Sequence, residues 1–277
     1  MKEEKKGAID FRVRLRTPEL LSAWAPEPAP HFRNYVKLYK MEPRLSFQTP
    51  EQTLGEMDEA GIEKAVLCGG SLDDNREIAK MIHRFPERFI GVAGCRPDKD
   101  GIMKSCRGLR DALQSMGLKG LSLGPYIMNV YSNDKKLYPL YAICAEIGAI
   151  AIIHASLHYN TLTPMDLGDP RFFDEIAVDF PELKIVMSHS GVGFGAPMAL
   201  AIAQRHENVY LEVSALIPKY VNPMFLHAYN SFLKDKVLFG TDYPLVPFGI
   251  VDEWRTVIRP ENREQFFCRN AQRLLGI

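Results

Sequence analysis

The sequence predicts a single (β/α)8 barrel, the TIM-barrel class of α/β fold, that takes up residues 1–277. Short apolar segments alternate with amphipathic helical segments from near the start of the chain to its end. Eight apolar segments can be counted, and most are apolar on both faces, as parallel strands covered by helices must be. A length of 277 residues suits one such barrel. An open doubly wound sheet is the alternative, but no glycine-rich phosphate-binding motif follows the first segment.

The composition is that of a globular protein, since 46% of the residues are hydrophobic and 25% are charged. The 34 basic residues balance 34 acidic ones, so we expect neither nucleic acid nor a membrane surface as a partner. No apolar run has the ~20 residues of a membrane span, and the charged segment MKEEKKG does not indicate a signal peptide. Five cysteines without a Cys-x-x-Cys spacing favour reduced thiols and a cytoplasmic location.

The first predicted strand, residues 8–14, has an unusual charged face. Period-two alternation places three apolar side chains on one face and Asp10, Arg12 and Arg14 on the other. The apolar face comprises Ile9, Phe11 and Val13. On an exposed edge strand the charged face would meet water. In the first strand of a barrel it would face the interior, where charges need partners.

A long proline-rich segment follows, over residues 16–50. Its aromatic side chains include Trp24, Phe32, Tyr35 and Tyr39. The stretch HFRNYVKLYKM within it predicts one short helix. Loops of this length are uncommon unless they serve a function. The segment is either a packed excursion or a lid over a site, and we favour the lid.

A regular alternation of helices and strands begins at Thr49. Thr49 is a helix cap, Pro50 suits the first helical position, Gln52 completes a capping box, and Gly61 ends the helix. The later strands are predicted at residues 64–70, 88–94, 118–124, 149–156, 183–191, 208–215 and 235–242. Helices are predicted between them at residues 73–85, 101–117, 133–148, 169–178, 196–206 and 222–233, and two helical segments close the chain, around Trp254 and over 263–275.

Chemistry in such barrels occurs at the carboxyl ends of the strands. Here those ends carry His154 on strand five, His189 on strand six and Asp242 on strand eight, and we predict all three as catalytic. A lone histidine there is often a hydrogen-bonded core residue, but two histidines and an aspartate at matching positions favour a function. The residues predicted to bind substrate are Arg12, Arg14, Arg96, Tyr126 and His158.

Several motifs along the chain also fit one known family. They are Ile9-Asp10, GLSLGP (120–125), LYPLY (137–141), PELKIVMSHSG (181–191), NVYLE (208–212), FGTDYP (239–244) and NAQRLLG (270–276). In this order and spacing the chain resembles the amidohydrolase superfamily, in the branch that includes aminocarboxymuconate-semialdehyde decarboxylase, resorcylate-type decarboxylases and dicarboxylate lactonases.

The resemblance implies a metal site, with a His-x-His pair on strand one, a histidine on strand five and an aspartate on strand eight. The strand-six histidine assists catalysis. His154, His189 and Asp242 match these positions. Arg12 and Arg14 replace the His-x-His pair, and a guanidinium cannot bind a metal. We therefore expect no cofactor. If a divalent metal such as zinc did bind, His154 and Asp242 would hold it.

Two neighbouring guanidinium groups suit a carboxylate and can stabilise an oxyanion. The main hypothesis is therefore an amidohydrolase-like hydrolase that cleaves a lactone, ester or amide bond in a small anionic organic acid without the usual metal. Asp242 would be the general base, positioned by His189 or His154, and Arg12 and Arg14 would bind a carboxylate.

Two alternatives remain open. The first is non-oxidative decarboxylation of a small carboxylic acid, in which the arginines hold a carboxylate. The second is a non-catalytic ligand-binding homologue, in which Arg12 and Arg14 form an internal salt-bridge cluster with Asp10, Asp242 and Glu212. The resemblance also implies a homodimer or a larger assembly.

Overall fold

The structure, a computed structural model, describes residues 7–23, 27–194 and 196–277. Eight strands within these residues form one sheet in chain order, and each neighbouring pair is parallel. The strands are β1 (Ala8–Val13), β2 (Ile62–Cys68), β3 (Phe89–Gly94), β4 (Gly120–Leu123), β5 (Ile150–His154), β6 (Lys184–Ser188), β7 (Val209–Glu212) and β8 (Val237–Leu238). All eight lie at the predicted places, and β2 begins two residues earlier than predicted.

The first and last strands close the sheet into a barrel. The backbone N–H of Phe11 donates to the carbonyl of Phe239 at 2.9 Å, and that of Asp242 donates to the carbonyl of Arg12 at 2.9 Å. The predicted (β/α)8 barrel is thereby confirmed.

Helices surround the barrel. Within the described residues they are α1 (Pro18–Leu21), α2 (Arg33–Leu38), α3 (Pro50–Ala60), α4 (Leu72–Arg84), α5 (Pro97–Asp100), α6 (Ile102–Gln114), α7 (Tyr138–Ile147), α8 (Phe173–Asp179), α9 (Ala196–Arg205), α10 (Pro223–Tyr229), α11 (Ile250–Val257), α12 (Pro260–Glu264) and α13 (Asn270–Leu275). In the described part of the chain, no helix combines the length and apolar character of a membrane span. The capping box of Thr49 and Gln52 is present, and Gly61 ends α3 with a φ of 75°.

Most buried apolar side chains belong to one of two large clusters. An outer cluster lies between the strands and the helices. The strand residues of the inner cluster are Ile9, Phe11, Val66, Cys68, Val92, Ile150, Ile152, Val186 and Leu238. Because they come from strands all around the barrel and contact one another, they fill its interior.

The strict alternation predicted for β1 is wrong. Ile9 and Phe11 belong to the inner cluster, whereas Val13 belongs to the outer one. The register against β2 shifts between Asp10 and Val13, so three steps along β1 match two along β2, as in a β-bulge. The extra residue allows Arg12 to reach the mouth of the barrel although Phe11 already faces the interior.

The segment between β1 and α3 folds over the mouth. It contains α2, which confirms the predicted short helix, and it forms a small apolar cluster of its own. The cluster consists of Phe32, Tyr35, Val36, Met41 and Leu245. Trp24, named above in this segment, lies outside the described residues, as do residues 1–6. That the segment acts as a lid stays a prediction.

Candidate active site

A cavity of about 1020 Å³ opens at the carboxyl ends of the strands. Seven of the predicted site residues line it: Arg12, Arg14, Arg96, Tyr126, His154, His189 and Asp242. His158 does not. It is only 1% exposed and stacks on Tyr126, with the two ring centroids 4.5 Å apart. The position of His158 suits support of the Tyr126 ring.

Arg12 and Asp242 form an ion pair at the base of the cavity. Nε of Arg12 donates to Oδ1 of Asp242 at 2.9 Å, and the two side chains are 18% and 28% exposed. Nη1 of Arg12 is buried and has no hydrogen-bond acceptor among the residues that the structure describes. The guanidinium therefore keeps donor capacity that Asp242 does not use.

Arg14 is bound to different partners. Its Nη1 donates to Oδ2 of Asp74 at 2.9 Å and to the carbonyl of Leu20 at 3.1 Å. Burial works to raise the pKa of Asp74, but Arg14 and the N–H of Gly70 hold that pKa below its usual value. The two arginines therefore do not form the joint anion clamp that the sequence predicts, because each is paired with its own carboxylate.

The backbone brings His189 to the mouth by an unusual turn. Val186 faces the barrel interior, so alternation places Ser188 inside and His189 outside. However, φ is 64° at His189 and 56° at Ser190, and this left-handed turn returns the ring to the cavity. Ala215 and Asp242 are also left-handed, with φ of 58° and 64°. Such conformations cost ~1–3 kcal/mol each and are concentrated at functional sites.

The hydrogen bonds of His189 indicate which ring nitrogen carries the proton. Nδ1 lies 2.9 Å from the carbonyl oxygen of Ser214, which can only accept. The proton is therefore assigned to Nδ1, and Nε2 keeps its lone pair. Burial lowers the pKa of His189 to about 4, with Asp242 acting against this change and Arg12 adding to it. The free ring is neutral at pH 7.

His154 is a second neutral imidazole beside the first. Its ring centroid lies 4.9 Å from that of His189, and its Nε2 lies 3.1 Å from the carbonyl oxygen of Ser156. The proton is therefore on Nε2 and the lone pair on Nδ1. Burial, His189 and Arg12 hold the pKa of His154 well below its usual value. The site thus combines two neutral imidazoles with the guanidinium of Arg12.

Aromatic residues of the segment over the mouth form one wall, which sequence reasoning missed as part of the site. Tyr35 and Tyr39 line the cavity with Tyr126. The hydroxyl groups of Tyr35 and Tyr126 hydrogen-bond to each other, and burial raises the pKa of Tyr126 to about 12. Tyr126 is therefore a neutral phenol. The signal in the sequence was the position of Tyr35 and Tyr39 within the proline-rich segment, but only tertiary packing brings these two residues to the mouth of the barrel.

Arg96 follows β3 and lines the cavity away from β5 and β6, which carry His154 and His189. It forms a two-pronged pair with Asp98, from Nε at 2.8 Å and from Nη2 at 2.6 Å. Burial, Arg96 and Lys99 lower the pKa of His31, which lines the same cavity. Arg96 is therefore partly neutralised before any ligand arrives.

Asp10, which the sequence places at the mouth, is fully buried between β1 and β8. Its carboxylate accepts hydrogen bonds from the N–H of Thr241 at 2.9 Å and the hydroxyl of Thr241 at 2.6 Å. Glu212 is likewise fully buried, at the end of β7. The predicted salt-bridge cluster is therefore present only as the pair of Arg12 and Asp242.

The donor set does not fit the divalent metal that the family resemblance implies. No group of three or more His, Cys, Asp or Glu side chains suited to a metal occurs among the described residues. Asp242 already accepts from Arg12, so a metal ion would have to displace a guanidinium and remain beside it.

Comparison with known proteins gives matches along nearly the whole chain. The family model described as amidohydrolase matches residues 12–277. A curated relative, 2-amino-3-carboxymuconate-6-semialdehyde decarboxylase of Dictyostelium discoideum, is 23% identical over 239 residues. The match covers 73% of this chain and 65% of that protein, slightly less than two thirds of its length.

Solved structures share the fold over almost their full length. An uncharacterized TIM-barrel protein from Bordetella bronchiseptica is 25% identical, with a TM-score of 0.79 and 98% of each chain covered. A 5-carboxyvanillate decarboxylase from Novosphingobium aromaticivorans, complexed with manganese and 4-hydroxy-3-methoxy-5-nitrobenzoic acid, is 17% identical, with a TM-score of 0.73. That alignment covers 100% of this chain and 98% of the other.

Proposed function

The chain belongs to the amidohydrolase family, and from this premise we propose that it is a non-oxidative decarboxylase of a small anionic carboxylic acid. This proposal reverses the order of the two enzyme hypotheses drawn from the sequence, in which hydrolysis came first. Support comes from the relatives, because the curated one and one of the solved structures are named decarboxylases.

The observation that carries the proposal is the incompletely used guanidinium of Arg12. Among the described residues, only Asp242 accepts a side-chain hydrogen bond from it. A half-buried cation with unused donors at the base of a cavity suits an oxygen anion. It assists most where negative charge appears during the reaction, because only differential binding of the transition state lowers the barrier.

The residues of this chain can then be given roles. Arg12 binds a substrate oxygen that gains charge as the bond between carbon and carboxylate breaks. An anionic substrate would raise the pKa of His189, so that its Nε2 takes up a proton and passes it to the carbon that loses the carboxylate. The electron pair of the broken bond ends in the new C–H bond, CO2 leaves, and His189 recovers its proton from solvent. His154 and Asp242 position His189 and Arg12.

We propose this reaction without a bound divalent metal. The 5-carboxyvanillate decarboxylase was solved in complex with manganese. The donor set of this chain does not fit such a metal, because the Asp242 carboxylate is already paired with Arg12. No step above passes through a metal. We also propose a cytoplasmic location, supported by five cysteines that show no Cys-x-x-Cys spacing. The homodimer or larger assembly stays a prediction.

The test compares Arg12→Gln with Arg14→Gln as a matched control. The protein is first offered a panel of benzoates and unsaturated acids that carry a hydroxyl or carbonyl next to the carboxylated carbon, and CO2 release is measured. Loss of two charge-assisted hydrogen bonds at about 1.5 kcal/mol each is expected to lower kcat/KM about a hundredfold in Arg12→Gln. Arg14 is already hydrogen-bonded to Asp74, so Arg14→Gln should change kcat/KM less than about tenfold.

Asp242→Asn should abolish turnover, whereas the ligand should still shift the melting temperature of this variant.

Other outcomes would select the alternatives. Hydrolysis of lactones without CO2 release would restore the hydrolase hypothesis. Thermal shifts with acids but no turnover across the acid and lactone panels would identify a binding homologue.

A further inference from the structure

We propose that Glu212 is a positioning residue for His189, and that it acts through the hydroxyl group of Ser214 to keep the lone pair of His189 Nε2 available to the cavity. The inference deepens the proposed function, since it rests on the role given there to His189.

Glu212 is a fully buried carboxyl group that the reaction described above does not use. It is not among the described residues that line the cavity. The backbone that follows the adjacent strand β8 leaves the side chain little freedom: an ideal Cβ on Gly240 would lie 2.2 Å from Oε1 of Glu212. The absence of a side chain at Gly240 therefore makes the space that the carboxyl group occupies.

Three donors converge on this carboxyl group. Ser188 Oγ donates to Oε2 at 3.0 Å, and Ser214 Oγ donates to Oε2 at 2.7 Å. The backbone N–H of Ser214 donates to Oε1. An ionised carboxylate can only accept, so the single hydroxyl proton of Ser214 is committed to Glu212.

This commitment fixes the direction of the next hydrogen bond. Ser214 Oγ lies 3.0 Å from Nδ1 of His189 and, having given its proton to Glu212, can only accept from it. The Ser214 carbonyl oxygen, at 2.9 Å, accepts as well. Two acceptors thus face Nδ1, which must carry the ring proton. A neutral imidazole has one such proton, so Nε2 remains a base.

Replacing the carboxylate by an amide would remove this restriction. In Glu212→Gln the amide can donate to Ser214 Oγ, which frees the hydroxyl proton to point at Nδ1 of His189. The hydroxyl would then compete with the carbonyl oxygen, and the tautomer with the proton on Nε2 would become populated. Removing the hydroxyl as well, in Glu212→Gln combined with Ser214→Ala, leaves only the carbonyl and should restore the original tautomer.

The experiment records long-range 1H–15N correlation spectra of the histidine rings at pH 8.5, without substrate. Burial raises the pKa of Glu212 to about 7, so the carboxylate prevails at this pH. His189→Gln identifies the signal. We expect the Nδ1–H tautomer alone in the wild-type protein, at least about one fifth Nε2–H in Glu212→Gln, and recovery in the double variant. Ser188→Ala is the matched control, because it removes a donor to Glu212 whose hydroxyl group makes no hydrogen bond to the His189 ring.

Several outcomes would overturn the inference. An Nε2–H tautomer of His189 in the wild-type protein would do so, and neither Glu212→Gln nor the double variant is needed for this measurement. A spectrum of Glu212→Gln identical to that of Ser188→Ala would also do so, as would failure of the double variant to restore the wild-type spectrum. Because no substrate is involved, these outcomes are independent of whether decarboxylation is the reaction. If it is, kcat should fall in Glu212→Gln by the fraction of molecules in the Nε2–H tautomer, at least about one fifth, while KM changes less than about twofold.

Discussion

Replacing Asp10 by asparagine is expected to remove one component of the pH dependence of stability. Asp10 is completely buried, and burial raises its pKa from 3.8 to about 7 despite the hydrogen bonds from Thr241 and from the N–H of Arg12. In the unfolded chain the same carboxyl group meets water. Asparagine has nearly the same shape, offers an oxygen to the same N–H groups, and cannot ionise.

The sign and size follow from proton linkage. Between pH 3.8 and about 7 the native protein keeps a proton on Asp10 that the unfolded chain has released, so the free energy of unfolding falls as the pH rises. The slope for one group is about 1.4 kcal/mol per pH unit, which gives about 3 kcal/mol between pH 5 and pH 7. Above that window both states are ionised and the contribution is constant. Relative to the wild-type protein, Asp10→Asn should therefore gain about 3 kcal/mol between pH 5 and pH 8.

Urea unfolding followed by circular dichroism at pH 5, 6, 7 and 8 would measure this difference. The contributions of other titrating groups to the pH dependence cancel when the two proteins are compared. Glu212 is the exception, because its charge also raises the pKa of Asp10. Asp73→Asn, at an exposed position, serves as the control. A stability difference between wild type and Asp10→Asn that is the same at pH 5 and pH 8 would refute the reasoning, because native Asp10 would then be ionised throughout.

The remaining predictions concern packing and metal content. Gly240→Ala should lower the free energy of unfolding by at least about 2 kcal/mol, because the new Cβ would meet the Glu212 carboxyl group. Gly55 lies in α3, and a Cβ there would have no atom within 4 Å. Gly55→Ala should therefore raise the free energy of unfolding by about 0.5–1 kcal/mol. Thermal and urea unfolding would check both, and equal effects would contradict the close approach at Gly240. Elemental analysis after dialysis should find far less than one zinc or manganese ion per chain; a ratio near one would refute the metal-free proposal.

Much of the fold could be predicted from the sequence because its signals are local. Each strand is a short apolar run between turn residues, and helix ends such as Thr49 and Gly61 depend only on nearby backbone groups. His154 and Asp242 could be assigned to the mouth for the same reason, since each lies at or just beyond the end of a recognisable strand.

The rest depends on contacts between residues far apart in the chain. The register shift between Asp10 and Val13 in β1 brings Arg12 to the mouth although Phe11 faces the interior, and period-two alternation contains no sign of it. The pairing of Arg14 with Asp74 joins residues 60 positions apart and could not be read from either one. Glu212 is apparent as a carboxylate on a strand with Ser214 two residues further on, but Ser188 becomes its neighbour only when β6 and β7 pair.

The pair of Arg12 and Asp242 also has a consequence for how the site forms. The two residues are 230 positions apart, at the seam where the first strand meets the last. Bringing chain ends this distant together costs about 5 kcal/mol of loop-closure entropy if nothing between them has yet folded, and much less once seven strands are in place. We therefore expect the guanidinium and its carboxylate to meet at the end of folding. Partly folded chains would expose neither a finished cavity nor a charged site, and competence to react arises only with closure of the barrel.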